Sequence, residues 1–343
     1  MITLHALQII WYVLLAFLLT GFVALDGYDL GAGMWHLLAR RGEQRNHVLA
    51  TIAPFWDGNQ VWLVAAGGAS FAAFPPVYAA LLSGLYPLLV GLLLMLILRT
   101  VAVEYAQKES NPRHRQAWDV VFSLSSTLAV VGVGVLLGNL LYGLPLDADG
   151  EIIVSFWSLF HPFALLITVL VGSLVALHGA IWIALRTEGE MRGEARRWGM
   201  YVWPVAFLLT VLTLALLAMS DSWLLANYQR YPALWAIPAA SVLALALAGA
   251  AHLGSRPLVA FVASSAAIVC LFASAGAGMF PTIVHALGTP SLSLTAHNAS
   301  SSLLALEVML VVVTIGLPAV FAYTGWLHWL FRQPVDAGAE YSK

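Results

Sequence analysis

The sequence predicts an all-α polytopic membrane protein with about nine transmembrane helices. Of its 343 residues, 61% are hydrophobic and only 9% are charged, whereas charged residues usually make up about 25% of a soluble domain. Apolar runs of about 20 residues, the length that crosses a bilayer as a helix, recur along the chain. A β-barrel would show short segments of alternating polarity instead. With a net charge of −2, the chain has no basic patch for nucleic acid.

Nine apolar runs, separated by polar residues, are long enough to be membrane spans. The first run has no basic leader and continues past Gly33, so we interpret it as a span and not as a signal peptide. The second run is the most polar, and the seventh is the shortest. The predicted spans are 6–39, 48–73, 76–106, 118–142, 157–186, 197–225, 233–252, 257–280 and 302–332.

The positions of Lys and Arg predict the orientation of these spans. Nearly all of the 15 basic residues fall on one side of the predicted membrane, and only Arg230 lies in a loop on the other side. The positive-inside rule therefore predicts a cytoplasmic C-terminus and a periplasmic N-terminus. It also supports 48–73 as a span, because the basic groups at 40–45 and 108–115 would otherwise lie on opposite sides. No loop is long enough for a folded extramembrane domain, so the chain is predicted to be one integral membrane domain, 1–343.

A short sequence similarity between two spans suggests an internal repeat. Ala24-Leu25-Asp26-Gly27 in the first span matches Ala176-Leu177-His178-Gly179 in the fifth at several positions. Helices that pack through small residues, as membrane bundles do, suit a chain with 28 glycines. This similarity predicts two four-helix bundles, 1–145 and 155–280, and a peripheral final helix at 302–332. Coincidence in an Ala- and Leu-rich chain is the alternative.

Three carboxylates interrupt the first two spans. Asp26 and Asp29 are three residues apart and share a helix face, while Asp57 lies in the second span. A mid-membrane Asp costs about 2.5 to 3.5 kcal/mol on insertion scales, so such residues usually face a protein interior and mark a proton or ion path. At a rise of about 1.5 Å per residue, Asp57 would lie about 15 Å into its span and Asp29 at a similar depth. The spacing predicts a proton relay of clustered carboxylates, and the alternative is that each Asp is a hydrogen-bonded packing residue.

Amides and aromatic rings flank the third carboxylate in Trp56-Asp57-Gly58-Asn59-Gln60-Val61-Trp62. Asn59 and Gln60 are candidate hydrogen-bond partners for the carboxylates. Trp56 and Trp62 would either pack in the protein interior or line a site for the tail of a quinone or lipid. All four residues are predicted to support the relay.

Two charged residues lie near the inner end of the third span. Arg99 and Glu104 either pair with each other, line the mouth of the same proton path, or are inert interfacial side chains whose charged heads reach the surface. We include both in the predicted path. Glu307, in the outer part of the last span, needs a partner and is predicted to face another subunit.

Ten histidines raise the question of a heme or metal site. A bis-His heme needs two rings at matching depth on facing helices, and only His178 is clearly mid-span. There is no Cys-x-x-Cys-His segment and no zinc-like spacing, and the single Cys270 cannot form an intramolecular disulfide. The pattern favours packing and interfacial roles, so this chain is predicted to ligate no heme or metal.

The polar motifs, taken together, resemble those of subunit II of bd-type terminal quinol oxidases, a family that includes the cyanide-insensitive branch. The resemblance covers nearly the whole chain, and the Trp-Asp-Gly-Asn motif is highly specific. It is carried by Leu25-Asp26-Gly27-Tyr28-Asp29-Leu30-Gly31, Trp56-Asp57-Gly58-Asn59-Gln60-Val61-Trp62-Leu63, Gly67-Gly68-Ala69, Phe71-Ala72-Ala73-Phe74-Pro75, Tyr78-Ala79-Ala80, Ser83-Gly84-Leu85-Tyr86, Gly138-Asn139-Leu140-Leu141, Leu234-Trp235-Ala236-Ile237-Pro238, Met279-Phe280-Pro281, Asn298-Ala299-Ser300-Ser301-Ser302 and Tyr323-Thr324-Gly325-Trp326.

The resemblance implies a multi-pass subunit of the bacterial cytoplasmic (inner) membrane. In this family, subunit II pairs with a homologous subunit I that holds two b-type hemes, one d-type heme and the external quinol site. Subunit II ligates no heme itself, contributes a proton route from the cytoplasm and is able to hold a structural quinone. The implied partners are subunit I, a small single-span accessory subunit, membrane lipid, and quinol and oxygen as substrates of the complex.

Individual residues match the family's proton-route positions to different degrees. Asp57 matches the family's key carboxylate, and Asp29 and Asp26 match the upstream motif. Glu104 stands where some members have Asp, which keeps the charge, but Phe55 stands where some have His, so no proton role transfers to that position.

Two other functions remain open on the residues alone. A proton- or ion-coupled secondary transporter would use the same buried acids without redox partners. A structural scaffold for subunit I would need none of the three Asp residues for turnover.

Overall fold

A bundle of long helices makes up the computed structural model, which describes residues 3–40 and 42–335. Within these residues, eight helical segments are long and apolar enough to cross a membrane, and a ninth crossing results if the bent pair α3 and α4 counts as one span. The protein is therefore a multi-pass membrane protein. Its helices are α1 Leu4–His36, α2 Glu43–Ile52, α3 Trp56–Ala73, α4 Pro75–Gly84, α5 Tyr86–Lys108, α6 Pro112–Tyr142, α7 Pro162–Arg186, α8 Gly189–Ala218, α9 Ala226–Arg230, α10 Ala236–Leu253, α11 Pro257–Met279 and α12 Leu303–Leu330.

Prolines and polar caps explain where several helices begin. Pro112 and Pro162 stand at the first position of α6 and α7, where the missing N–H costs no helical hydrogen bond. Side chains of Thr3, Asn111 and Ser302 accept from free backbone N–H groups at the starts of α1, α6 and α12. These local signals set the helix boundaries that the hydropathy pattern leaves vague.

The predicted second span, 48–73, is not one continuous helix. Pro54 lacks a backbone N–H, so α2 ends at Ile52 and a new helix, α3, begins at Trp56. α3 crosses the bundle alone: Phe55, just before it, packs against His328, and the carbonyl of Ala73 at its far end accepts from Ser301 N–H. Its 18 residues extend about 27 Å, close to the thickness of a bilayer core.

The predicted third span, 76–106, is also divided. α3 ends at Ala73 because the following Pro75 disfavours a helical conformation at Phe74, and α4 leaves at 116° to α3. A second break at Leu85 separates α4 from α5, which makes the actual crossing. The prediction placed the crossing correctly over most of its length but missed the bend at its start.

α1 and α7 lie at the centre of the bundle. In α7, 78% of the most apolar window is buried within the chain, whereas the corresponding value is 6% in α12 and 17% in α8. α1 and α7 meet where Gly31 faces Gly179, so closely that a Cβ on Gly31 would lie 2.8 Å from the Cα of Gly179. The final helix is therefore peripheral, as predicted, while the division into halves at 1–145 and 155–280 stays a prediction.

The two ends of the bundle differ in charge. We call the end at which α1 finishes the basic end, because Arg45, Arg113 and Arg192 lie there. At the opposite end, the loop between α11 and α12 forms a small antiparallel hairpin of β1 Thr282–Val284 and β2 Leu294–Thr295. The acidic segment around Asp147 and Asp149 lies in another loop at that end.

Candidate functional site

The predicted carboxylates of α1 are both fully buried. Asp26 Oδ1 accepts a hydrogen bond of 2.6 Å from Arg99 Nη2 on α5, and this ion pair has essentially no solvent contact. Three residues along the same face, Asp29 Oδ2 accepts from Asn59 Nδ2 on α3 at 2.8 Å. The helix spacing brings the two acids to one face, and α3 and α5 supply their partners.

Asn59 connects this pair to the ring of Tyr28. Its Nδ2 lies 2.6 Å from the Tyr28 hydroxyl and 3.4 Å from the carbonyl of Leu25. We define the acidic cluster as Asp26, Asp29, Tyr28, Asn59 and Arg99. All five are buried, so the cluster is a polar network in the apolar interior of the bundle.

Several buried atoms of the cluster have no hydrogen-bond partner within the described residues. They are Oδ2 of Asp26, Oδ1 of Asp29 and Nη1 of Arg99. Buried polar groups in native proteins are nearly always paired, and exceptions often mark functional positions. The network thus leaves one oxygen of each carboxylate without a described partner and available to accept a proton.

The cluster continues toward the basic end through Tyr28. The Tyr28 hydroxyl lies 3.1 Å from His328 Nε2, and His328 Nδ1 donates to the carbonyl of Thr324. The guanidinium of Arg186 sits 5.6 Å from the Phe55 ring centroid and 5.5 Å from that of Trp182. Tyr28, Arg186 and His328 were not among the predicted site residues, and only the position of Tyr28 between two acids gave any sign of them.

Asp57 lies outside the acidic cluster. It stands in the first turn of α3, is exposed on the surface of the chain, and forms no hydrogen bond or ion pair with any described residue. The prediction that all three carboxylates cluster is therefore wrong for Asp57. The reason is the face of α3 on which it lies: Asn59, two residues further along, points to Asp29, so Asp57 lies on a different side of the helix.

The other predicted residues divide between the cluster and its surroundings. Gln60 Oε1 accepts from Thr100 Oγ1 at 3.1 Å, which ties α3 to α5 one residue after Arg99. Trp56 and Trp62 are buried. Among the four supporting residues, only Asn59 contacts a carboxylate of the site.

Glu104 does not pair with Arg99. Its carboxylate accepts from Lys108 Nζ at 3.0 Å one turn along α5, and both side chains keep solvent contact. Arg99 instead points into the bundle toward Asp26. One of the open alternatives, a pair between Arg99 and Glu104, is thus wrong, because the two side chains face different surroundings.

A second charged cluster joins α1, α2 and α6 at the basic end. His36 Nε2 lies 2.9 Å from Asp119 Oδ1, and Asp119 Oδ2 accepts from Arg45 Nη1 at 2.9 Å. Arg45 also donates to the carbonyls of Ala39 and Leu37. Sequence reasoning missed this cluster because its members are far apart along the chain and each looks like an interfacial residue.

His178, a fully buried histidine, is committed to packing. His178 Nδ1 lies 2.8 Å from Ser264 Oγ and its Nε2 lies 3.0 Å from the carbonyl of Ala24. An axial heme ligand needs one of these nitrogens free, so His178 fits poorly as a ligand. Among the described residues, no three or more His, Cys, Asp or Glu side chains group closely enough to hold a metal ion.

The membrane region contains one apolar cavity and one apolar groove. A cavity of about 120 Å³ is lined mainly by residues of α6, α7, α8 and α11, including Leu174 and Thr213. A groove of about 370 Å³ runs between α1, α3 and α12 and is lined by Trp11, Trp62 and Val312. Within the described residues, the Trp62 indole nitrogen is buried without a hydrogen-bond partner.

Comparison with known proteins identifies the family. The family model for cytochrome bd terminal oxidase subunit II matches residues 7–331. The chain belongs to the cytochrome bd terminal oxidase subunit II family. As a bd oxidase subunit II, it is one component of a quinol oxidase. This result supports the oxidase function and not the secondary transporter that the sequence had left open.

Curated relatives agree along the full length. The chain is 34% identical to "Cytochrome bd-I ubiquinol oxidase subunit 2" of Escherichia coli strain K12, over 96% of this chain and 95% of the relative. It is 32% identical to "Cytochrome bd ubiquinol oxidase subunit 2" of Bacillus subtilis strain 168, over 96% and 97%.

A solved structure has the same fold. This is a chain of the bd oxidase from Geobacillus thermodenitrificans, with a TM-score of 0.77, 17% sequence identity, and coverage of 95% of this chain and 98% of the other. At this identity, the match supports the fold alone. The helical bundle is thus the fold of a bd oxidase subunit.

Proposed function

We propose that this chain is the non-heme-ligating subunit II of a bacterial inner-membrane quinol:oxygen oxidoreductase and that it pairs with a heme-bearing subunit I. The observation that carries the proposal is the family match over residues 7–331. The commitment of both His178 nitrogens to hydrogen bonds within the chain is consistent with hemes that are ligated elsewhere. When bound in the partner, the hemes would supply the electron transfer to oxygen.

The chain's own contribution would be a proton path from the cytoplasm. The positive-inside rule assigns the basic end to the cytoplasm, and Asp57 stands near that end on an exposed face of α3. Two residues further along α3, Asn59 contacts Asp29. Asp57 would therefore receive protons at a surface that subunit I covers, while Asp29 and Asp26 hold protons in the interior beside it.

Charge balance supports proton storage in the acidic cluster. Arg99 forms an ion pair with Asp26 but no ion pair with Asp29, whose described partner is the neutral Asn59 amide. An isolated charge is costly to bury, so a proton on one of the two carboxylates would leave the cluster with little net charge. Arg99 would position Asp26, and Glu104 with Lys108 would lie at the mouth of the path.

A quinone would fit the groove between α1, α3 and α12 better than the smaller cavity. A cavity of about 150 Å³ is known to take up benzene, so a volume of about 120 Å³ is small for a substituted ring. The groove is larger, apolar, and has the unpartnered indole N–H of Trp62 as a donor for a carbonyl oxygen. Replacing Trp62 by Phe should lower the quinone extracted per complex, whereas Trp56→Phe should not.

The pairing with subunit I is tested by purification from the native membrane. The chain is affinity-purified in mild detergent, its partners are identified, and a dithionite-reduced minus air-oxidised spectrum is recorded. We expect a second large subunit, a red band of a d-type heme and, if present, a small accessory subunit. A colourless, solitary and folded chain would contradict the proposal.

The proton path is tested by neutralising Asp57 in the assembled complex. Asp57→Asn should lower oxygen reduction by about tenfold or more, since a positioned proton-transfer group typically contributes at least a factor of 10². Asp57→Glu should retain most of the rate. Asp149→Asn, in an exposed loop at the other end, is the matched control. Wild-type turnover of a heme-complete Asp57→Asn complex would end the relay role of this residue.

The scaffold alternative makes a distinct prediction. If the chain only stabilises subunit I, neutralising Asp26, Asp29 and Asp57 together leaves turnover per assembled heme unchanged. A path through these residues predicts that the triple variant is slower than each single variant. Turnover is normalised to the heme spectrum, so that poor assembly is not mistaken for slow chemistry.

A further inference from the structure

A polar stripe runs along one face of α1 from the basic end to the middle of the bundle. Its members are Asp26, Asp29, Gly33 and His36, whose spacings of three, four and three residues place them on one side of a helix. The four positions face three helices: Asp26 contacts α5, Asp29 contacts α3, and Gly33 and His36 both contact α6. The stripe thus joins the acidic cluster to the charged cluster of His36, Asp119 and Arg45.

The charged cluster extends from the surface into the interior. The side chains of Asp119 and Arg45 retain 11% and 10% exposure, whereas the side chain of His36 has none. Asp119 accepts from Arg45 and lies within hydrogen-bond distance of His36 Nε2, so it orients the imidazole ring and would stabilise its cationic form. Asp119 therefore connects the buried His36 ring to the partly exposed Arg45 at the basic end.

His36 has a second ring nitrogen that does not contact Asp119. Its Nδ1 is buried without a hydrogen-bond partner in the described part of the chain, as is Oδ1 of Asp29. The two residues are seven positions apart, a rise of about 10.5 Å. Between them, the absent side chain of Gly33 leaves room for Ser126, whose Cβ lies 2.5 Å from where a Cβ on Gly33 would stand. The Ser126 hydroxyl donates to the carbonyl of Phe122 and keeps lone pairs to accept a proton.

We propose that His36 and Asp119 form a second proton entrance, which feeds Asp29 along α1 independently of Asp57. The inference rests on the proposed role of the acidic cluster as a proton relay. Neutral His36 with its proton on Nδ1 accepts a proton at Nε2, on the Asp119 side, and becomes an imidazolium. It then releases the Nδ1 proton past Ser126 toward Asp29, which leaves a neutral ring with its proton on Nε2. Rotation of the ring turns this N–H inward and brings the free Nδ1 toward Asp119 for the next proton. One proton enters and one leaves, with no change in the redox state of any group.

The test compares two buried histidines in the assembled oxidase. His36→Gln keeps an amide that donates to Asp119 but cannot relay a proton, and His178→Gln removes an equally buried ring whose nitrogens are both engaged. In vesicles, we expect His36→Gln to slow proton uptake from the basic side at least threefold and to raise the solvent deuterium isotope effect on turnover. His178→Gln should change neither quantity.

The outcomes separate this inference from the function on which it rests. Normal uptake and isotope effect in His36→Gln, with slow turnover in Asp57→Asn, overturn the second entrance and leave the Asp57 path standing. Normal rates in both variants overturn both. If His36→Gln fails to assemble, Asp119→Asn and Asp119→Glu replace it. Asp119→Asn should slow proton uptake, whereas Asp119→Glu should keep it near the wild-type rate. Equal uptake rates in these two variants would overturn the proposed second entrance.

Discussion

At the scale of single residues, the ion pair between Arg99 and Asp26 is a charged contact inside the apolar interior of the bundle. Its Nη2 to Oδ1 distance is 2.6 Å, and both side chains are almost fully buried. Such a pair gains little net stability over a well-packed apolar pair, but removing one partner leaves an uncompensated charge. The pair therefore constrains which substitutions the membrane interior tolerates.

We expect Arg99→Met to destabilise the assembled complex by about 3 to 5 kcal/mol, the usual cost of leaving one buried charge without its partner. The double variant Asp26→Leu/Arg99→Met should be more stable than Arg99→Met alone, because both charges are gone. Thermal unfolding of the purified complex measures the difference. A double variant no more stable than the single one would show that Asp26 is uncharged in the native state.

At the scale of helices, the contact of α1 with α7 sets the position of the acidic cluster. Gly31 and Gly179 let the two backbones touch, and a Cβ on Gly31 would collide with the carbonyl oxygen of Val175. Trp35 adds a hydrogen bond of 2.7 Å from its indole N–H to the carbonyl of Ala176. Because Asp29 lies two residues before Gly31, a change in this contact moves the carboxylate relative to α3.

Gly31→Ala should destabilise the complex by about 1 to 3 kcal/mol, the usual range for an overpacked interior. Gly172→Ala on α7 is the matched control, because a Cβ there meets nothing within 4 Å. Thermal unfolding of both variants gives the comparison. Equal stability of the two variants would mean that α1 and α7 do not touch as closely as the structure has them.

At the scale of the whole molecule, apolar helix faces surround an apolar interior that contains the acidic cluster, and the basic residues lie mainly at one end. α8 and α12 present mostly exposed apolar side chains, which suits lipid or a partner subunit. The basic end carries the entrance proposed for protons and the cluster of His36, Asp119 and Arg45. The direction of the proton path therefore depends on which side of the membrane this end faces.

Selective labelling of cysteines should place the basic end in the cytoplasm. With Cys270 replaced by Ser, one cysteine is introduced at Arg113 near the basic end or at Asp149 in the opposite loop, both of which are exposed. An impermeant maleimide should label Asp149→Cys, but not Arg113→Cys, from outside intact spheroplasts. The reverse pattern would invert the orientation and, with it, the side from which protons enter.

Much of the fold follows from properties of short sequence segments, and the errors in the predicted helix boundaries also have causes within such segments. Long apolar runs and loop charges are properties of contiguous segments, which is why eight crossings are confirmed with only shifted ends. Pro54 and Pro75 are visible in the sequence, yet hydropathy averaging over 48–73 and 76–106 concealed their effect on the backbone. The exposure of Asp57 has another cause, because Asp57 and Asn59 lie on different faces of α3 and only Asn59 points into the bundle.

The sequence by itself determined the membrane class of this protein, its family, and the two acids that share one face of α1, because each depends on composition, a contiguous motif or helical spacing. Only the tertiary structure decided that Arg99 pairs with Asp26, that Asn59 reaches Asp29, that Asp57 lies at the surface, and that His36 meets Asp119. These contacts join residues that are 30 to 83 positions apart. They are set by how the helices pack, which no local pattern specifies.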